Sequence, residues 1–290
     1  MELVQLIFAA IGTVLAVLFL IKSKKGEKYE EMLAPLDDKT YPLNSLYGVG
    51  FTWMENPIFK FEGKKAAELK GQAGLIHERR FADYYARVAW AQAITLGHML
   101  LAITFLITAV FYDMAILMLV AGLFLTLIMI VYCMDDMKNK LEERTTQCER
   151  ELPEVASTMA VLVNSGMMLR EAWSTIAENG EGAFYELMNH AVENMNNGLS
   201  ETDALTLFGR ETNSGEIKKF TSALVQNIEK GGGDLGFFLA QQSSELWNMK
   251  RQKMLQQGEV AATKLLVPIV LIFVGIIIIV MTAAFAGSLF

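Results

Sequence analysis

All 25 Lys and Arg residues fall in two segments, 22–87 and 138–264. Between and around them lie three apolar blocks, 4–21, 88–134 and 265–285. A helix rises 1.5 Å per residue, so about 20 apolar residues cross a hydrocarbon core of about 30 Å. The first and third blocks are each one span long, and the middle block is about twice that length. Its only acidic residue is Asp113, beside Tyr112 at its centre. A carboxylate at mid-bilayer costs about 3 kcal/mol on insertion scales, and a tight turn at Asp113 avoids that cost. The middle block therefore reads as a hairpin of two helices, roughly 94–112 and 114–134. Both basic segments then lie on one side, which by the positive-inside rule is the cytoplasm. The expected layout is an N-terminal anchor (1–21), a cytoplasmic loop with an amphipathic helix (22–93), a hairpin (94–134), a cytoplasmic helical domain (135–263) and a last span (264–290). Both termini lie outside and the main domain inside, at the cell's inner membrane. The first apolar block is read as an uncleaved anchor, because Lys22, Lys24, Lys25 and Lys28 follow it and no small-residue cleavage site does.

Composition narrows the function classes. The chain is 53% hydrophobic, too apolar for an ordinary soluble domain. Its formal net charge of −7 argues against a nucleic-acid partner. Cys133 and Cys148 match no metal or redox spacing and read as reduced thiols.

In the first basic segment, Pro35, Pro42, Gly48, Gly50 and Pro57 break the chain into loop. Tyr41, Tyr47, Phe51 and Trp53 lie in that loop and suit packing against the membrane surface or the helical domain rather than a ligand pocket. From Lys64 to Trp90 a helical pattern returns and is expected to run into the second span. His98 reads as a histidine near the membrane face, with a buried polar contact as the other reading. Gly12/Ala16 and Ala283/Gly287 are small-residue pairs at four-residue spacing, a pattern that lets helices approach closely.

Segment 135–263 is acidic, with apolar residues at helical spacing between glycine-marked stops. A charged helix leaves the third span, and Pro153 opens the next helix, which carries Val155, Met159, Val161, Leu162 and Val163. Gly166 ends it. Three more helices follow around Leu169, Trp173 and Ile176, around Phe184, Leu187 and Met188, and around Leu205 and Phe208. Asn213-Ser214-Gly215-Glu216 resembles a capping box opening a fifth. Asp234 starts a sixth, which runs toward the last span. Three turns organise the region: Ser165, Gly166 and Met167; Gly198, Leu199 and Ser200; and Gly231, Gly232, Gly233, Asp234 and Leu235. In each, glycine takes the left-handed conformation that stops a helix, and Ser or Asp starts the next. The fold class is all-α: a polytopic membrane protein with about four transmembrane helices and a cytoplasmic antiparallel bundle of about six helices.

Leu152-Pro153-Glu154, Ser165-Gly166-Met167, Asn197-Gly198-Leu199-Ser200 with Ala204-Leu205, and Gly232-Gly233-Asp234-Leu235 stand in order before a terminal span. In that order and spacing they resemble the type II secretion system F domain family of inner-membrane platform proteins. With a single copy of the domain after a span and a hairpin, the chain is closest to the tight-adherence (Flp) pilus assembly C/B-type proteins. The resemblance implies a scaffold without catalytic or cofactor-binding residues. It implies partners too: a cytoplasmic secretion ATPase, pilin or pseudopilin subunits, a sister platform subunit or a second copy, and membrane lipid. The three turns are the candidate partner-docking residues.

The remaining chemistry is thin. No P-loop, nucleophile elbow or zinc-protease motif occurs, and His77-Glu78-Arg79-Arg80 lacks the second histidine of the last. His77, His98 and His190 sit in separate segments. Glu149, Glu151 and Glu154 have two readings, a divalent-cation site or acids favouring a helix dipole. The platform reading stands against a membrane-anchored adaptor or signalling protein whose helical domain binds a soluble partner.

Overall fold

The computed structural model describes residues 2–77 and 79–287. Glu78 and the tail Ser288, Leu289 and Phe290 lie outside them, as do the side chains of the Ala283/Gly287 pair. The chain forms two compact units, Met1–Thr145 and Thr146–Phe290, and no strand occurs among the described residues. Among the described residues four helices are long and apolar enough to cross a membrane.

The first unit holds α1 (Glu2–Gly26), α2 (Glu30–Leu33), α3 (Gly48–Met54), α4 (Lys64–Ile76), α5 (Ala82–Val110) and the first part of α6 (Ala115–Asn164). Of its long helices α5 is the most enclosed, with 44% of its most apolar window buried against 6% in α1. Hydrocarbon does not push apolar helices together, so the fit between surfaces has to do so. Glycines supply that fit. A Cβ on Gly12 of α1 would lie 2.9 Å from the Leu106 nitrogen in α5, and one on Gly122 of α6 would lie 2.2 Å from the Thr104 methyl. The close approach expected from Gly12 is therefore real. Asp113 is exposed in the short turn between α5 and α6, where the hairpin was expected to close.

Beneath these helices, α3 is wedged between α1 and α5. The Gly50 N–H donates to Thr95 Oγ1 at 3.0 Å, and a Cβ on Gly50 would meet the Ala91 oxygen at 2.2 Å. The Trp53 indole N–H donates to His98 Nδ1 at 3.0 Å. An indole nitrogen can only donate, so the proton of the neutral imidazole sits on Nε2, which donates to the Leu15 carbonyl at 3.0 Å. His98 is thus a buried tie between α1, α3 and α5, the second of the two readings above.

The expected helix from Lys64 to Trp90 is in fact two. His77 has extended backbone, and α4 turns back onto α5. This buries Leu69 and Ala73 against Ala82, Ala86 and Ala89, which one straight helix would leave apart. Arg144 of α6 closes the end of α4 by donating to the Leu75 carbonyl at 2.6 Å. His77 lies flat on Tyr85, with ring centroids 3.5 Å apart.

The second unit holds the rest of α6 with α7 (Leu169–Asn179), α8 (Ala183–Asn196), α9 (Glu201–Glu211), α10 (Gly215–Glu229) and α11 (Leu235–Gly287). Its core gathers one apolar stripe from each helix: Leu152 and Met159 of α6, Trp173 of α7, Phe184 and Met188 of α8, Leu205 and Phe208 of α9, Ile217 and Leu224 of α10, and Leu239 of α11. Trp173 and Phe184 both meet Phe208 edge-to-face, at 4.9 and 5.4 Å. The expected bundle of six helical pieces is present.

Three local expectations fail. Val161, read as a core position, is 68% exposed. Pro153 opens no helix but sits inside α6. Proline removes one intrahelical bond and crowds the turn before it, at a cost of about 3 kcal/mol. Buried Leu152 and Val155 hold the helix in the core, and Lys250 of α11 donates to the neighbouring Arg150 carbonyl at 2.9 Å. The cap of α10 is Ser214 rather than Asn213. Ser214 Oγ accepts from the Ile217 N–H and donates to Glu149 Oε1 at 2.8 Å, while Glu216 turns away to Lys253.

Two predictions follow from the first unit. Gly50→Ala drives a methyl into the Ala91 carbonyl. It is expected to lower the stability of the full chain in detergent by about 3 kcal/mol or more, as overpacking at backbone does. Gly71→Ala, in α4 with nothing within 4 Å of the new methyl, is expected to leave stability unchanged or raise it by up to about 1 kcal/mol. Thermal unfolding midpoints of the pair decide this. The second concerns His77. Burial holds its imidazole below the ordinary value, and Lys140 and Arg144 push the same way. The unfolded chain then binds the proton more readily than the folded one. Stability from neutral His77 is fully present above the ordinary imidazole value of 6.5 and is lost as pH falls through and below it. The unfolding midpoint of the natural protein should fall more between pH 7.5 and 5.5 than that of His77→Phe, which keeps the ring and cannot take a proton.

Candidate functional site

The three turns share one hydrogen-bond pattern. After α6, the Gly166 N–H reaches back to the Val163 carbonyl and the Met167 N–H to Leu162, at 3.0 and 3.1 Å. After α8, Gly198 bonds to Met195 and Leu199 to Asn194, at 3.3 and 3.0 Å. After α10, Gly231 bonds to Ile228 and Gly232 to Asn227, at 3.0 and 3.1 Å. This is the Schellman motif, which needs a left-handed residue just past the helix. Gly166, Gly198 and Gly231 have φ of 96°, 96° and 105°. A Cβ would touch nothing at any of them, so backbone conformation alone calls for glycine there.

Each turn then opens its next helix differently. Ser200 caps α9, accepting from the Asp203 N–H at 3.1 Å and donating to Asp203 Oδ2 at 2.6 Å. Asp234 begins α11 through its carbonyl, which accepts from Phe238 at 2.9 Å. Ser165, Gly166, Gly198, Leu199, Ser200, Gly231, Gly233 and Asp234 are exposed, whereas Met167, Gly232 and Leu235 are half-buried.

Residues flanking all three turns meet in one groove of about 710 Å³. Met168 and Leu169 come from the first turn, Asn196 and Glu201 from either side of the second, and Gly231, Gly232 and Leu235 from the third. Val192 and Ile228 add apolar surface. Arg170 Nη2 donates to Asn196 Oδ1 at 2.9 Å and so ties the first turn to the second. Glu171, Glu178 and Glu201 line the same groove, so its carboxylates outnumber its one guanidinium. The structure thus brings the third turn into the groove itself. Ser165, Gly166, Met167, Gly198, Leu199, Ser200, Gly233 and Asp234 stand beside it rather than in it. Sequence reasoning missed Arg170, Asn196 and Glu201. Their only signal was that each lies within a few residues of a glycine stop.

Glu149, one of the acids around Pro153 inside α6, has another task. Glu149 accepts from Ser214, and its second oxygen pairs with Lys253 of α11 at 2.9 Å. Lys253 also pairs with Glu216 at 2.9 Å. Among the described residues no three His, Cys, Asp or Glu side chains gather as a metal site would require. Burial raises the Tyr185 hydroxyl above its ordinary value, with the charges of Glu151 and Glu154 adding to the shift.

The left-handed glycines can be tested directly. Gly166→Ala and Gly198→Ala should each cost about 1–2 kcal/mol, the strain of a left-handed L-residue. Gly233→Ala, with neither positive φ nor a neighbour within 4 Å, should cost less than either. Thermal unfolding of the full chain in detergent measures the order.

Residues 155–283 match the model of the family described as Type II secretion system (T2SS), protein F. The matched stretch runs from the last turns of α6 to near the end of α11, and it supports that family for these residues. No curated protein and no solved structure matches the chain.

Proposed function

We propose that this chain is an inner-membrane platform protein of a type IV-like (tight-adherence) pilus or a type II secretion assembly machine. In this reading it couples a cytoplasmic secretion ATPase to the insertion or extraction of pilin subunits. The observation that carries the proposal is the family match across 155–283, together with four helices long enough to span a membrane. The helical bundle faces the cytoplasm, and both termini lie outside. The basic residues of 22–87 and 138–264 support that orientation.

The groove beside the three turns is the docking face for the ATPase. Its rim of Glu171, Glu178 and Glu201 suits a partner surface rich in Lys or Arg, and Met168, which is 77% exposed, offers an apolar contact at its edge. A sister platform subunit or a second copy of the chain completes the assembly within the membrane.

The test is co-expression of the full chain with a secretion ATPase of the same cell, followed by affinity capture. The expected result is co-purification that weakens at least tenfold in Glu171→Lys/Glu201→Lys, with the unfolding midpoint little changed. Absence of association, together with normal pili and normal secretion after deletion of the gene, overturns the proposal. Capture of a different soluble partner in place of the ATPase favours the adaptor reading.

A further inference from the structure

Between α3 and α4 the chain makes a 3-10 turn, Pro57–Phe59, none of whose residues is buried. Ile58 is 81% exposed and Phe59 39% exposed. In a water-soluble protein such a turn would be a local defect. Its height relative to the apolar runs of α1 and α5 gives it a different meaning.

Trp53, five residues before Ile58, reaches His98, and His98 reaches the Leu15 carbonyl. Leu15 precedes Lys22, the first charge after the apolar run of α1, by seven residues or about 10 Å of helix. Through His98 the Trp53 indole is tied to the apolar run of α1 just beyond its charged end. Phe59 packs edge-on against the Trp53 ring at 5.3 Å. The Phe59 carbonyl accepts from Trp90 Nε1 at 3.2 Å, and Trp90 follows Arg87, the last charge before the apolar run of α5, by three residues. The turn is thus held between two tryptophans at the edge of both runs, the level where indole rings favour the bilayer boundary. The Lys22 ammonium, 4.8 Å from the Trp53 ring centroid, reaches back toward the same level.

Part of the turn's backbone is satisfied within the protein. Pro57 has no N–H to satisfy. The Phe59 N–H donates to the Asn56 carbonyl at 3.1 Å, and the Phe59 carbonyl is taken by Trp90. Of the carboxylates beside it in sequence, Glu55 is engaged by Lys28 and by the Tyr29 hydroxyl, and Glu62 by Lys60.

We propose that Pro57–Phe59 is a lipid-inserting wedge. Ile58 and Phe59 enter the boundary between headgroups and acyl chains and anchor the α3–α4 segment to the bilayer surface. The partner is the lipid itself. This rests on the reading of α1 and α5 as membrane spans.

The experiment uses the full chain reconstituted in phosphatidylcholine–phosphatidylglycerol vesicles, with a nitroxide on one introduced cysteine at a time. Cys133 and Cys148 are buried and stay in place. Ile58→Cys is compared with Val17→Cys in the middle of α1 and with Lys39→Cys in an exposed loop. Collision with oxygen, which partitions into lipid, is measured against collision with a water-soluble nickel chelate. The expected oxygen-to-nickel ratio at position 58 is several-fold above that at position 39 and close to that at 17. A ratio at 58 equal to that at 39, with 17 in lipid, overturns the wedge and leaves the spans intact. A water-like ratio at 17 overturns the reading of α1 as a span, and the wedge with it.

Discussion

Hydrocarbon offers no partner to a backbone N–H or carbonyl, so a segment that enters it must satisfy both from within. In the first unit this requirement shapes nearly everything. The apolar runs are unbroken helix, and the hairpin between α5 and α6 turns at the one place where a carboxylate occurs. Hydroxyls inside the runs bond to carbonyls of their own helix, as Thr104 does to Leu100 and Thr108 to Thr104, each at 2.8 Å. Gln5 donates across to the Ala109 carbonyl at 3.0 Å. Once these groups are satisfied, dispersion contacts are what hold the helices together, and these fall off steeply with distance. Hence Gly12 and Gly122 sit where a methyl would collide.

The second unit answers to the opposite solvent behaviour. Helices of 11 to 15 residues, as α7 to α10 are, are marginal alone in water and form because each buries one stripe in a shared core. Reversing direction between such short helices leaves little room. A left-handed glycine both ends a helix and satisfies two of its last carbonyls, which is why the same cap recurs after α6, α8 and α10. The groove beside these caps is a by-product of that economy. Open glycine surface, short side chains and the acidic first turns of α7 and α9 all collect at the same end.

How much of this was legible in the sequence depends on the range of the cause. Span length, the turn at Asp113 and the stops at Gly166, Gly198 and Gly231 are local, and each has a residue that announces it. The break at His77 has neither glycine nor proline. It arises because Leu69 and Ala73 find a better face on α5 than in a straight helix. Pro153 misleads for the same reason, since partners far along the chain, Lys250 among them, hold a helix that propensity would break. The Trp53–His98 bond joins residues 45 apart, and no pattern in either neighbourhood points to the other. The groove was half legible: its glycines signalled turns, but only the packing of α7, α8 and α10 brings Met168, Asn196 and Gly232 together.

The longest helix, α11, is held by both regimes in succession. Its first part runs along α6 through a polar seam. Asn164 bonds to Gly236, Ser157 to Ser243 and Trp247, Arg150 to Lys250, and Glu149 to Lys253. The pairs descend in one chain as they rise in the other, so the two helices are antiparallel, and sliding one by a single residue would break the whole set. Beyond Lys253 no residue up to Thr282 is buried. Residues 265–282 carry no charge and satisfy their backbone as one helix, so lipid or a neighbouring transmembrane helix completes them. The stretch between, with Met254, Leu255 and Val260 exposed beside Gln256, Gln257 and Glu259, belongs to neither regime. A helix there gains nothing from a core and rests on good helix formers, Met254, Leu255, Gln256, Gln257, Glu259, Ala261 and Ala262, despite Gly258.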